Sequence, residues 1–182
     1  MRLIPFMVIL GVLAVVQMTF GWAAALSTEV TGQFWPDILA VFAVFIAFKA
    51  RSATDAMVAA WIVGMLVDVL SGAGFHGSAN IGPMAIMYVP AAGMIFKARD
   101  TFFTDRMWAQ MLLSGAFCVF VHTGWVTLQV ILNFDWSAWP SCILQALLIS
   151  LYTALVAPLI CLVLTPLSGW LVQAGGRGRR RR

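Results

Sequence analysis

Charge is scarce in this sequence. Only 10 % of its 182 residues are Asp, Glu, Lys or Arg, where a water-soluble domain carries about 25 %. The chain therefore lacks the polar surface that full solvation demands. Cysteine is scarce too, with Cys118, Cys142 and Cys161 the full set. An odd number, each inside an apolar run and none in C-x-x-C spacing, argues against a disulfide framework or a thiolate metal site. Their plain role is to pack as small hydrophobes.

What is abundant is apolar surface: 62 % of residues are hydrophobic and the mean hydropathy is +0.95. Apolar runs recur along the whole length, the mark of helices in lipid rather than of one buried core helix. The length allows one membrane domain, residues 1–176, followed by a basic tail, residues 177–182. The net charge of +4 is local to that tail, which holds Arg177, Arg179, Arg180, Arg181 and Arg182; without these five the sum is −1. Such a cluster reads as a topology lock that contacts anionic lipid headgroups, not as a nucleic-acid-binding domain.

Six runs can be followed. Residues 4–26 are long enough to cross a hydrocarbon core of about 30 Å. Arg2, this run and Ala23-Ala24-Ala25 also resemble a signal peptide, but the run exceeds the usual h-region, so retention is the preferred reading and cleavage the alternative. Residues 34–48 open with Trp35-Pro36-Asp37. Proline suits a first helical turn and an acid there meets the positive helix end. This run is short, so mismatch or local thinning of the bilayer is expected. Residues 56–70 include Asp68, and residues 79–96 include Pro83 and Pro90, which predict a kinked helix. Residues 107–132 carry His122; residues 141–172 are too long for one straight crossing, so Pro158 and Pro166 are expected to bend the run or lay its end along the interface.

The basic residues check this layout. Lys49 and Arg51 separate the second and third runs, Lys97, Arg99 and Arg106 the fourth and fifth, and Arg2 and the tail occupy the termini. The other three loops contain none. All eleven basic residues thus fall on one side of a six-span arrangement, as the positive-inside rule requires. Glu29, Asp37, Asp68 and Asp135 fall at the opposite end.

Asp68 is the sharpest chemical feature, since a carboxylate within a span costs a few kcal/mol unless paired, solvated or protonated. Ala56, Ala60, Gly64, Asp68 and Gly72 recur at four-residue steps, one ridge of small residues suited to close helix contact. Asp68 is expected to face protein, either as a binding or proton-linked site or as a cap on the following Gly-rich loop. Ser114, Cys118 and His122 form a second ridge, and Ala146, Ser150, Ala154 and Pro158 a third. His122 has Asp68 or a neighbouring helix as candidate partners. The run from Gly72 to Gly77 matches G-x-G-x-x-G, but it follows a lipid-embedded helix and not a strand, which removes the dinucleotide-binding rationale. Ser71 or Ser114 with His122 suggests an intramembrane hydrolase, yet no G-x-S-x-G elbow is present. The sequence offers no cofactor site, and a non-enzymatic role is expected.

The order of features resembles the MreD family, membrane components of the bacterial rod-shape machinery. The residues that carry it are Pro36-Asp37 opening a short span, the basic turn Lys49-Ala50-Arg51, and Gly64-Met65-Leu66-Val67-Asp68-Val69-Leu70-Ser71-Gly72 closing the third run. The resemblance covers residues 34–96 by motif and the rest by hydropathy. Where that family often has a Pro-Leu-Gly-like turn, this chain has Ala73-Gly74-Phe75-His76-Gly77. The resemblance implies an all-α fold of about six transmembrane helices, similar to substrate-binding subunits of ECF-type vitamin transporters. It implies a location in the bacterial cytoplasmic membrane with both termini cytosolic. It also implies a scaffold or regulator of peptidoglycan elongation, paired with an MreC-like protein alongside MreB, RodA and its transpeptidase. Asp37 and Asp68 match that family's acidic positions and are expected to organise packing or a partner surface.

The alternative is a solute-binding transporter subunit, with Asp37, Asp68, His76 and Asn80 as its candidate polar groups. The first run lacks the Ala-x-x-x-Ala pattern with which vitamin-binding subunits dock their energising module, which lowers that reading. A helper for another membrane complex is a third. The charge layout makes a direct prediction. A membrane-impermeant amine reagent applied to intact spheroplasts should leave Lys97 unmodified and should modify it once the membrane is opened; labelling from outside would overturn the layout.

Overall fold

The computed structural model describes residues 3–29, 32–71, 82–101, 106–133, 136–137 and 139–171. Arg2, His76, Asn80, Asp135, the glycine-rich run 72–77 and the arginines of the tail lie outside the described residues. The six apolar runs appear as six helices of unequal length: α1 (Leu3–Ala23), α2 (Ile38–Lys49), α3 (Ala53–Ser71), α4 (Pro83–Ala98), α5 (Met107–Asn133) and α6 (Trp139–Leu164). A 3₁₀ turn, Thr165–Leu167, and a short α7, Ser168–Leu171, close the described chain.

Four of these, α1, α3, α5 and α6, are long and apolar enough to cross a membrane. The exposed surface agrees, for Ile4, Val12, Val69, Ile86, Leu151, Leu159 and Leu162 all stand outward. An apolar surface so extensive is untenable in water and ordinary in lipid. Trp108 near the start of α5 and Trp136 and Trp139 near the turn into α6 are also exposed, as expected of aromatic side chains at the two interfaces.

The helices α2 and α4, of 12 and 16 residues, span only about 18 and 24 Å. The short α2 does not lie on the outer surface of the bundle. Every residue from Leu39 to Phe48 is buried, and α2 touches α1, α3, α4, α5 and α6. A helix apolar on all sides belongs at the centre of a bundle. Around it α3 packs along α4 and α5 along α6. The helix α1 is peripheral, pinned by Phe6 and Leu10, which are buried; the Phe6 ring stacks on Phe42 of α2 with centroids 5.7 Å apart.

The small-residue ridge of α3 does what its spacing predicts. Ala56, Ala60 and Gly64 are buried, and α4 approaches so closely that a Cβ on Gly64 would lie 2.6 Å from Ala85 Cα and 3.0 Å from its nitrogen. Pro90 lies inside α4 and Pro158 inside α6 without ending either helix. Pro166 acts differently: the α-helix gives way to the 3₁₀ turn there, because proline supplies no N–H and clashes with the preceding turn.

One element was not foreseen. Between α1 and α2 lies a hairpin of β1 (Leu26–Thr28) and β2 (Gly32–Phe34), antiparallel, with Leu26 opposite Phe34. Strands of three residues are too short to leave a periodic signal. Gly32, with φ at +70°, supplies the left-handed backbone that other residues adopt at a cost. Side chains of α6 hold the hairpin: Gln145 Nε2 donates to Gln33 O at 3.0 Å, and Tyr152 meets Phe34 edge to face.

The Gly64 contact is testable. Gly64→Leu should lower the melting temperature in detergent by an amount equivalent to about 1–3 kcal/mol of overpacking. Gly11→Ala, where an added Cβ meets nothing within 4 Å, should leave it unchanged or slightly raised. Equal melting of the wild type and Gly64→Leu would refute the close approach.

Candidate functional site

A helix that begins inside a bundle exposes N–H groups that no water can satisfy. The helix α2 begins in that way. Gln17 lies six residues before the end of α1, hence about 9 Å below it, and its amide brackets the segment entering α2. Its Nε2 donates to Pro36 O at 3.2 Å and its Oε1 accepts from Ile38 N at 2.8 Å. Trp35-Pro36-Asp37 therefore descends into protein before the helix starts, and Pro36 precedes the cap rather than occupying the first turn.

Asp37 is the N-cap. Its Oδ1 accepts from Ala40 N at 2.9 Å, which answers one free N–H and sets a negative charge against the positive helix end. Its own N–H donates to Thr153 Oγ1 on α6 at 2.9 Å. Its Oδ2 accepts from the Tyr88 hydroxyl of α4 at 3.2 Å and lies 3.3 Å from His122 Nε2 of α5. The imidazole N–H is not aligned on that oxygen, so this last contact is electrostatic at hydrogen-bond distance. Asp37, Tyr88, His122 and Thr153 are all buried. The Asp37 carboxylate thus joins α2 to α4 and α5, its backbone N–H adds α6, and Gln17 ties in α1.

Asp68 performs a related task on α4. Its Oδ2 accepts from Gly82 N at 3.0 Å and Ala85 N at 3.2 Å, and its Oδ1 from Met84 N at 3.2 Å. A side chain near the end of α3 thereby caps the start of α4 from outside. Gly82, with φ at +124°, turns the backbone so that its N–H reaches the carboxylate, a conformation that strains any residue with a Cβ. The two helices are clamped at this end by Asp68 and along their length by the Gly64 contact.

At the other end Arg99, just past α4, donates from Nη1 to Phe48 O at 3.3 Å and also to Ala50 O. It answers carbonyls left free at the end of α2 and places a cation at the negative helix end. Its guanidinium lies 3.9 Å over the Phe96 ring. The short central helix is therefore closed by an acid at its start and a base at its end.

Of the residues singled out by sequence, Asp37 and His122 come together and Asp68 stands apart from both, so His122 faces Asp37 and not Asp68. Ser114 is buried on the same face of α5 as His122 but two turns away, about 12 Å along the axis, too far to form a nucleophile–base pair. The three cysteines are buried and free. Among the described residues no group of three His, Cys, Asp or Glu is placed to hold a metal ion. Gln17, Tyr88 and Thr153 are functional to the arrangement and carried no sequence signal, and Arg99 was marked only as part of the basic turn between the fourth and fifth runs. Each is a single polar residue in or beside an apolar run, and only the tertiary structure shows its partner.

The cluster has proton-carrying groups, and its carboxylate is spent on Ala40 N, the Tyr88 hydroxyl and His122. Comparison with known proteins finds no matching family model, no matching curated protein and no matching solved structure. The chemistry has to be read from the geometry.

Removal of the node should be costly. Asp37→Ala leaves a helix end, a phenol and an imidazole without their acceptor, a loss of about 3–5 kcal/mol by the standard of broken buried pairs. His122→Ala should cost less, because the cap to Ala40, the bond to Tyr88 and the bond to Thr153 remain. Unfolding of both variants in mixed micelles checks the order; equal losses, or none for Asp37→Ala, would contradict it.

Proposed function

We propose that this chain is a non-enzymatic membrane scaffold or regulator of bacterial peptidoglycan elongation, similar in role to MreD and acting with an MreC-like protein. In this reading it lies in the cytoplasmic membrane, crosses it six times with α2 and α4 as the short crossings, and keeps both termini cytosolic. The partners implied are the MreC-like protein first, with MreB, RodA and its transpeptidase in the same assembly.

The observation that carries the proposal is how the acids are used. Asp37 and Asp68, which match the acidic positions of that family, accept hydrogen bonds from backbone N–H groups at helix starts. Carboxylates used in that way stiffen a bundle and leave little to polarise or deprotonate a substrate. A rigid body with an apolar exterior suits a role in holding other membrane helices.

A solute-binding transporter subunit needs an outward cavity with convergent polar groups. Of its four candidates, Asp37 and Asp68 are engaged with backbone, and His76 and Asn80 lie outside the described residues. The open cavity on α1 and α6, of about 550 Å³, is lined by apolar side chains alone. Both features count against that alternative.

Affinity purification of the tagged chain from crosslinked membranes tests the proposal. Recovery of an MreC-like protein is expected, and recovery of an ATPase module instead would overturn it. Asp68→Ala, which frees the start of α4, should cost about 1–2 kcal/mol of stability, weaken that recovery and round the cells. Normal morphology and undiminished recovery at equal protein level would count against Asp68 as an organiser of the partner surface.

A further inference from the structure

The polar residues around Asp37 hold helices together, and they also interrupt the apolar core. On α5 the only buried residue between Val121 and Val126 is His122, and on α6 the only buried residues between Ala146 and Ala157 are Ser150 and Thr153. Towards the start of α5 and the end of α6, Leu113, Phe117 and Val121 together with Ala157 and Cys161 belong to the main core around α2. Towards the turn that joins the two helices, Val126 and Val130 pack with Cys142 and Ala146 as a second, separate cluster. Among the described residues, Trp125 alone touches both.

The backbone is soft at the same level. Thr123-Gly124-Trp125-Val126-Thr127 strings together five residues from the weaker part of the helix-propensity scale. Thr123 Oγ1 donates back to Val119 O, and Thr127 Oγ1 to Thr123 O at 2.8 Å. On α6, Ser150 Oγ donates back to Ala146 O at 2.7 Å. Such bonds compete with the helical ladder and bend helices. A close-packed core moves as one body, so relative motion costs least where the core is broken and both backbones are weakened. On one side of the break the Asp37 contacts fix His122 and Thr153. On the other, Gln145 Nε2 reaches Gln33 O of the hairpin through an exposed hydrogen bond.

We infer that residues 126–133 of α5 and 139–146 of α6 form an arm that swings as one body, hinged at residues 123–127 and 146–150, on a base held rigid by Asp37. From Trp125 to Asn133 the arm is about 12 Å long, so a bend of about 20° moves its tip by about 4 Å. The second cluster travels with the arm and stays packed. What changes is the contact of Trp125 with the main core and the space between the arm and the α3–α4 pair. The Asp37 contacts lie on the base side of the hinge and are kept throughout.

Pulsed electron paramagnetic resonance on the full chain in lipid nanodiscs tests the hinge. Nitroxides are carried on a ketone-bearing amino acid, so the native cysteines stay in place. Labels at Ile131 and Val69 report on the far ends of α5 and α3, and labels at Leu112 and Val58 on their opposite ends; all four positions are exposed. The first pair should show two distances about 4 Å apart, and the second pair one. Gln145→Ala, which unties the arm from the hairpin, should raise the displaced population about fivefold, the equivalent of one hydrogen bond. Thr123→Ala with Thr127→Ala, neither position buried, should stiffen α5 and reduce the first pair to one distance. A single distance for Ile131 and Val69 in both the native chain and Gln145→Ala would overturn the hinge. So would two distances at both pairs, or two distances that persist unchanged in the threonine double variant.

Discussion

A helix shorter than the bilayer has ends that neither water nor its own backbone can satisfy, and the arrangement of this protein follows from that constraint. The helix α2 has 12 residues, and those from Leu39 to Phe48 are all buried. Their free N–H groups meet Asp37, and the carbonyls at the far end meet Arg99. In hydrocarbon each unsatisfied group costs several kcal/mol, more than a typical hydrogen bond contributes in water. The two charged residues are therefore conditions for placing a helix this short at the centre.

Placing a carboxylate there creates a second requirement. A buried charge left alone would be more costly than the N–H groups it caps, so Asp37 recruits Tyr88 from α4 and His122 from α5, while Thr153 of α6 accepts its backbone N–H. Capping one helix thus fixes the positions of three others. The pairing of α3 with α4 follows the same logic on a smaller scale: Asp68 answers three N–H groups, and the missing Cβ of Gly64 lets the two backbones approach. The membrane supplies little hydrophobic drive between helices, which leaves such polar clamps and small-residue contacts to set the geometry.

This division explains what could be read in advance. The existence and approximate extent of the six helices were legible, because long apolar runs bounded by charge or glycine leave a strong signal. The ridge Ala56, Ala60, Gly64 was legible as a packing face from its four-residue spacing. Asp37 at the start of a helix was legible too, since local sequence decides a cap. The central position of α2 was not legible: a short apolar run reads the same whether lipid or protein surrounds it. Nor was the pairing of His122 with Asp37, 85 residues apart in sequence, nor the reach of Asp68 across to Gly82. Spacing along one helix identifies which residues share a face, and it carries no information about what that face meets.

The same reasoning separates the two kinds of surface the protein presents. Inside, polar groups are directed at backbone and at one another, and the bundle gains rigidity from them. Outside, the groove between α1 and α6 lacks polar groups altogether, and α1 touches the bundle mainly through Phe6, Leu10 and Gln17. A helix anchored at a few points and flanked by a gap can be held in place by whatever fills that gap.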